Sequence, residues 1–343
     1  MAVLATPSYS LAGSGSVIRS YFAKKPPIIR EKTMNAGKTL TTAALTLTMS
    51  GAAMAADCGL VRFADVGWTD ITATTAAASV VLEGMGYDTR TQLLSVPVTY
   101  KSLANNDIDV FLGNWMPTMQ ADIAPYLKDG SVVDLGPNLT GAKYTLAVPK
   151  YAYDAGVKSF KDLAKYADKF DDKIYGIEPG NDGNRLIQDM IDGNAFGLKD
   201  FTLVESSEAG MLSQVKRAVK RDKWVVFLGW APHPMNANIE MEYLADGDDY
   251  FGANYGGADV HTNIRKDLVS ECPNVGKLVS NMKFSLPMEN EIMGAILDGG
   301  KKPPMAAEAW LKANPEVLDA WLDGVETKDG KPALAAVKKF LKI

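Results

Sequence analysis

Apolar and polar positions alternate between two periods after residue 58. Short apolar runs at 60–64, 91–95, 108–112, 131–135 and 144–148 predict buried strands. Stretches at 69–85, 98–105 and 119–128 repeat apolar residues at helical spacing. A second series follows, with strands at 174–177, 201–205 and 225–228 and helices at 159–166, 184–191 and 209–221. Beyond Tyr243 the pattern turns mostly helical, at 273–282, 289–297, 305–312, 315–322 and 333–341. Prolines near helix starts and glycines after helix ends set these limits. Strands alternating with helices predict an α/β protein with mostly parallel sheets and helices on their faces.

An internal echo suggests two such lobes. Phe111-Leu112-Gly113-Asn114-Trp115-Met116-Pro117 and Phe227-Leu228-Gly229-Trp230-Ala231-Pro232 each close a predicted strand with a glycine and then a tryptophan. A third segment, Asp65-Val66-Gly67-Trp68-Thr69-Asp70, repeats the motif and adds a carboxylate. Ligands of open α/β sheets bind outside the carboxyl ends of strands. Tryptophans in that place on two lobes are suited to closing on one ligand. A quaternary ammonium has no N–H to donate, and its charge is spread over methyl groups. Indole faces offer it dispersion and quadrupole attraction, about 0.5–2 kcal/mol per ring.

Trp68, Trp115 and Trp230 are therefore the candidate cage, with Tyr144 opening a strand after Gly141. Trp224, Trp310 and Trp321 lack that context and read as packing. Asp70 reads as the counter-charge, or as a first-turn acid favoured by the helix dipole; the roles are compatible. Asn181, in Gly180-Asn181-Asp182-Gly183-Asn184, reads either as a hydrogen-bonding group for a ligand hydroxyl or as a helix cap. That segment is not a phosphate loop, because no lysine follows at the required spacing. His233 lies between two prolines just after Trp230, a candidate for the cleft wall, and His261 stands alone. No metal, dinucleotide or nucleophile-elbow motif is present, so no cofactor, metal or catalytic residue is expected.

The chain starts with material unlike the rest. Residues 34–55 have the form of a secretory signal: Lys38, a short apolar region, then Ala53-Met54-Ala55 for cleavage. Residues 1–33 hold five basic side chains and one acid, and read as an over-extended start or a transit peptide. Setting 1–55 aside moves the formal charge from −5 to about −10, which disfavours nucleic acid and anionic membranes as partners. No later stretch has enough consecutive apolar residues to span a bilayer. Cys58 and Cys272 are an even pair in an exported chain. They predict a disulfide, with two buried thiols as the alternative. A bond would place the first residues and the C-terminal part in one lobe.

On its tryptophan motifs the chain resembles the periplasmic choline-binding proteins of ABC importers, within the glycine betaine/proline betaine substrate-binding group. The resemblance covers essentially all of 56–343. It implies a two-lobed type II binding protein with a two-stranded hinge. The first lobe would be 56–140 plus 241–343, and the second 141–240. It further implies a monomer that delivers ligand to the transmembrane permease, with Trp68, Trp115, Tyr144 and Trp230 as the box. Asp70 would lie near the ammonium and Asn181 near the hydroxyl. A betaine site of the same family is the second expectation, and a ligand-presenting sensor module the third. An enzyme of choline esters would have only His233 to work with.

Overall fold

The computed structural model describes residues 58–343. The signal-like stretch 34–55 and the extension 1–33 lie outside the described residues. In chain order the strands are β1 (Leu60–Asp65), β2 (Asp88–Leu93), β3 (Val110–Met116), β4 (Val132–Pro149), β5 (Lys173–Tyr175), β6 (Thr202–Val204), β7 (Val226–Ala231), β8 (Met241–Tyr243) and β9 (Gly257–Arg265). The first helices are α1 (Thr69–Gly84), α2 (Val96–Ala104), α3 (Gln120–Lys128), α4 (Lys150–Asp154), α5 (Phe160–Leu163), α6 (Asp182–Asp192) and α7 (Glu208–Val219). Longer helices at Pro273–Asn281, Leu286–Leu297, Pro303–Ala313 and Ala333–Leu341 complete the C-terminal part.

The strands form one hydrogen-bonded path, β2-β1-β3-β9-β4-β7-β5-β6, with β8 paired to β4. β1 runs parallel to β2 and β3, and β5 runs parallel to β6 and β7. The centre is antiparallel, through β3 with β9, β9 with β4 and β4 with β7. Each end of the sheet is thus three parallel strands followed by one returning strand, and the two returning strands pair in the middle.

The expectation of mostly parallel sheets is corrected to a mixed one, because β4 and β9 run antiparallel to their neighbours at the centre. Residues 257–265, where Asp259, His261, Asn263 and Arg265 alternate with Ala258, Val260, Thr262 and Ile264, form a strand in a part of the chain expected to be mostly helical. Two of these polar groups are paired in the structure, the His261 ring with Asp134 and the Arg265 guanidinium with Asp109 and Glu271; Asp259 is exposed, and the buried Asn263 amide makes no hydrogen bond among the described residues. Pairing lowers the cost of burying His261 and Arg265. β4 joins the two strands expected at 131–135 and 144–148. Its pairing with β9 shifts register between Asp134 and Ala142, where Gly136-Pro137 and Gly141 interrupt the apolar pattern.

α1 is buried on nearly every face. It packs against β1, β3 and the helices Leu286–Leu297, Pro303–Ala313 and Ala333–Leu341. Its alanines and threonines keep that crowded position narrow, as expected of a helix without one polar side. The turn into it is set locally. The Asp65 carboxylate accepts the Gly67 N–H and the Thr72 hydroxyl, both at 2.7 Å. Gly67 takes φ +86°, which disfavours other residues, and Trp68 follows in extended backbone as the helix cap position. Cys58 and Cys272 are joined, with sulfurs 1.99 Å and Cα atoms 5.6 Å apart. The bond ties the segment before β1 to the helix Pro273–Asn281.

Candidate functional site

Four of the six proposed ligand residues converge as aromatic walls, and a fifth supplies charge. Trp68, Asp70, Trp115, Tyr144, Trp230 and Ile177 line one cavity of about 240 Å³. All five predicted liners are buried. The Tyr144 ring lies 5.9 Å from Trp115 and 6.4 Å from Trp230, tilted by 58° and 79°. In sequence the tryptophans are 115 residues apart, and in space one tyrosine bridges them. Tyr144 and Trp230 are also register partners across β4 and β7.

The two strand ends are built alike. Both tryptophans stand two residues before a cis proline, Pro117 and Pro232. β3 carries one extra residue between glycine and tryptophan, Asn114. Its pairing with β9 shifts register between Phe111 and Asn114, and Asn114 accepts the Tyr100 hydroxyl at 3.0 Å. The extra residue is thus absorbed as a bulge, which re-aims the side chains that follow. Gly113 is needed for contact with α1: a Cβ there would lie 2.6 Å from the Ile71 side chain. That approach brings the first turn of α1, and so Asp70, against Trp115.

Asp70 is 1% exposed. One carboxylate oxygen, Oδ2, accepts the Trp115 indole N–H at 3.1 Å. The other, Oδ1, has no hydrogen-bond partner among the described residues. Burial, and then the nearby Glu208 charge, raise its pKa to about 8; the Trp115 bond opposes them. Burial raises Glu178 to about 7 and Asp182 to about 6. Glu289 is pushed well above the carboxylate range, by burial and then by Asp70. Carboxyls thus crowd the cavity, and no lysine or arginine lines it. Arg185, the cation nearest in sequence to Asn181, is held by Asp122 and the Thr118 carbonyl. Such a field favours a cation.

Asn181 is not among the residues that line this cavity, and it bonds to one that does. Its Oδ1 accepts the Tyr144 hydroxyl at 2.8 Å and the Asn184 N–H at 3.1 Å, so it caps α6 and holds Tyr144 at once. Gly183 is required here, because a Cβ would come within 2.1 Å of the Tyr144 oxygen. His233 is buried behind Trp230, its ring 5.0 Å from the indole and tilted by 67°. Both its nitrogens are engaged, Nδ1 by the Met235 N–H and Nε2 by Glu208. His261 is remote from the cavity and paired with Asp134. Trp224, Trp310 and Trp321 sit in packing contacts elsewhere.

Sequence reasoning missed Ile177, Glu178 and Glu208. Glu178 accepts the Trp68 indole N–H at 2.8 Å, and Glu208 accepts the Thr69 N–H at 2.8 Å. Ile177 and Glu178 follow β5 and directly precede Pro179-Gly180, at a strand end like those of the tryptophans. That position could have flagged them. Nothing in the sequence marked Glu208. Among the described residues no cluster of three or more His, Cys, Asp or Glu could hold a metal. Nor is any helix among them long and apolar enough to cross a membrane.

Comparison with known proteins points the same way. The family described as the substrate binding domain of ABC-type glycine betaine transport systems matches residues 59–313. A solved ABC-transporter choline binding protein, in complex with choline, is 63% identical; the match covers 83% of this chain and 98% of that one, at a TM-score of 0.82. Lactococcal OpuAC, closed on glycine betaine, is 31% identical over 76% of this chain and 98% of its own, at 0.69. An uncharacterized protein, ORF1, of Chromohalobacter salexigens is 60% identical over 134 residues, 39% of this chain and 86% of its own length.

Proposed function

This chain belongs to the family of substrate-binding domains of ABC-type glycine betaine transport systems, and from that premise we propose that it captures choline between two lobes and hands it to the permease. The observation that carries the choice of ligand is the buried Asp70 carboxylate, with one oxygen on Trp115 and the other unpartnered, inside an aromatic box. A relative at 63% identity binds choline, which supports the same reading. In this proposal Trp68, Trp115, Tyr144 and Trp230 contact the trimethylammonium group and Asp70 compensates its charge. Asn181 then acts through Tyr144 and meets the ligand hydroxyl only if the box adjusts on binding.

The lobes are 56–140 with 241–343, and 141–240. The first crossing between them falls within β4 and the second just before β8. The ligand contacts both lobes only when they are closed, and that difference drives closure. The mature protein acts outside the cytoplasm as a monomer, after removal of the signal at 34–55, and performs no chemistry on its ligand.

Glycine betaine is the second reading, favoured by the family description and by the liganded OpuAC relative. The site argues against it, because a betaine carboxylate would face Asp70 with no basic side chain on the wall. Calorimetric titration of residues 56–343 with choline, acetylcholine and glycine betaine in parallel separates the two. Tight choline and weak betaine binding is expected; tighter betaine binding would move the protein to the osmoprotectant branch.

A further inference from the structure

We infer that Glu208 is a positioning residue that latches the cleft shut around its ligand, an inference that rests on the two-lobed capture proposed above. Glu208 opens α7, in the segment assigned to the second lobe, and its carboxylate reaches the first turn of α1 in the first lobe. There Oε2 accepts the Thr69 N–H at 2.8 Å, and Oε1 accepts the Thr69 hydroxyl at 2.5 Å. The first N–H groups of a helix have no partner within it. Trp68, at the cap position of α1, supplies no side-chain acceptor. The cap therefore arrives from 139 residues away, as a carboxylate at the positive end of the helix.

The other side of Glu208 is held by His233. The Met235 N–H donates to Nδ1 at 2.9 Å, so Nδ1 carries no proton. The proton of the neutral ring is then on Nε2, which donates to Glu208 Oε1 at 3.2 Å. His233 in turn packs edge-on against Trp230. One buried carboxylate thus connects Thr69, which stands between Trp68 and Asp70, with the support of the opposite wall. Opening the lobes breaks both Thr69 bonds together and leaves those within the second lobe intact. A contact present only in the closed state slows ligand release and leaves encounter alone. A second carboxylate near Asp70 also adds to the preference for a cation over a zwitterion.

The test is stopped-flow tryptophan fluorescence with choline, on the wild type and on Glu208→Ala, Glu208→Gln and Thr69→Val. For Glu208→Ala the release rate is expected to rise at least about tenfold, with the association rate within about twofold. Glu208→Gln and Thr69→Val should fall between, and combining Thr69→Val with Glu208→Ala should add little, because both remove one contact. The melting temperature of the unliganded protein should stay unchanged in Thr69→Val, which leaves the Glu208–His233 bond in place, while the rise caused by choline shrinks. An unchanged release rate, or equal losses of unliganded and liganded stability, would overturn the latch. Wild-type protein that does not bind choline contradicts the capture reading; wild-type binding with unchanged release in Glu208→Ala contradicts the latch alone.

Discussion

The ends of β3 and β7 present the same device and differ in charge. Both run through Phe-Leu-Gly to a tryptophan and a cis proline, and both tryptophans face one cavity. Trp115 is wired to Asp70 by its indole N–H. Trp230 is braced by neutral groups: the His233 ring at its edge, and the Asn236 amide, which donates to its carbonyl at 2.8 Å. Backbone equivalence therefore does not imply energetic equivalence. The β3 side both encloses and attracts a cation, whereas the β7 side mainly encloses it.

That asymmetry ranks the expected losses. Trp115→Ala should cost most, about 100-fold in choline affinity, or about 2.7 kcal/mol, because it removes a ring and the donor that orients Asp70. Asp70→Asn should follow at about 30-fold for choline and only a few-fold for glycine betaine. Trp230→Ala should cost about tenfold. Titration calorimetry on the three variants, with circular dichroism as a check on folding, gives the order. A Trp230→Ala loss larger than that of Trp115→Ala would break the comparison, and equal effects of Asp70→Asn on both ligands would reduce Asp70 to a helix-start residue.

Acidity gives a further, smaller effect. A carboxyl whose folded pKa is raised stabilises the ligand-free fold fully below its ordinary value of 3.8, and that contribution is lost as pH rises through about 8 for Asp70. A bound cation favours the ionised form instead. Choline binding should therefore release protons near neutral pH, and its affinity should fall as pH drops below about 8. Glu178 and Asp182, raised to about 7 and about 6, act in the same direction. Calorimetry in buffers of different ionisation enthalpy reads the proton count, and Asp70→Asn should lower it. The smallest effect is expected of Tyr144→Phe. It keeps the ring and loses only the bond to Asn181, for a few-fold change.

Much of this arrangement was legible because its signals are local. Gly67 follows β1, Gly113 and Gly229 lie inside β3 and β7, which run on past the expected ends and through the tryptophans, and α1 begins where its pattern does. What remained hidden depends on partners distant in sequence. β9 is polar, and the partners of His261 and Arg265, Asp134 on β4 and Asp109 just before β3, are distant in sequence. Glu208 resembles any first-turn acid until α1 is seen beside it. Asn181 reads both as a cap and as a ligand group; the structure shows the cap and adds a bond from the Tyr144 hydroxyl. The Cys58–Cys272 pairing was deduced from number and compartment, and the fold supplies the proximity.

The most direct measurement compares choline with its neutral carbon isostere, in which carbon replaces the quaternary nitrogen and the shape is kept. Both fill the aromatic box, and only one carries the charge that Asp70 and the rings recognise. Calorimetric titration of the purified 56–343 chain should show choline binding at least about 100-fold more tightly, a difference of about 2.7 kcal/mol. Equal affinities would mean that the cavity selects by shape alone, and would contradict a cation site.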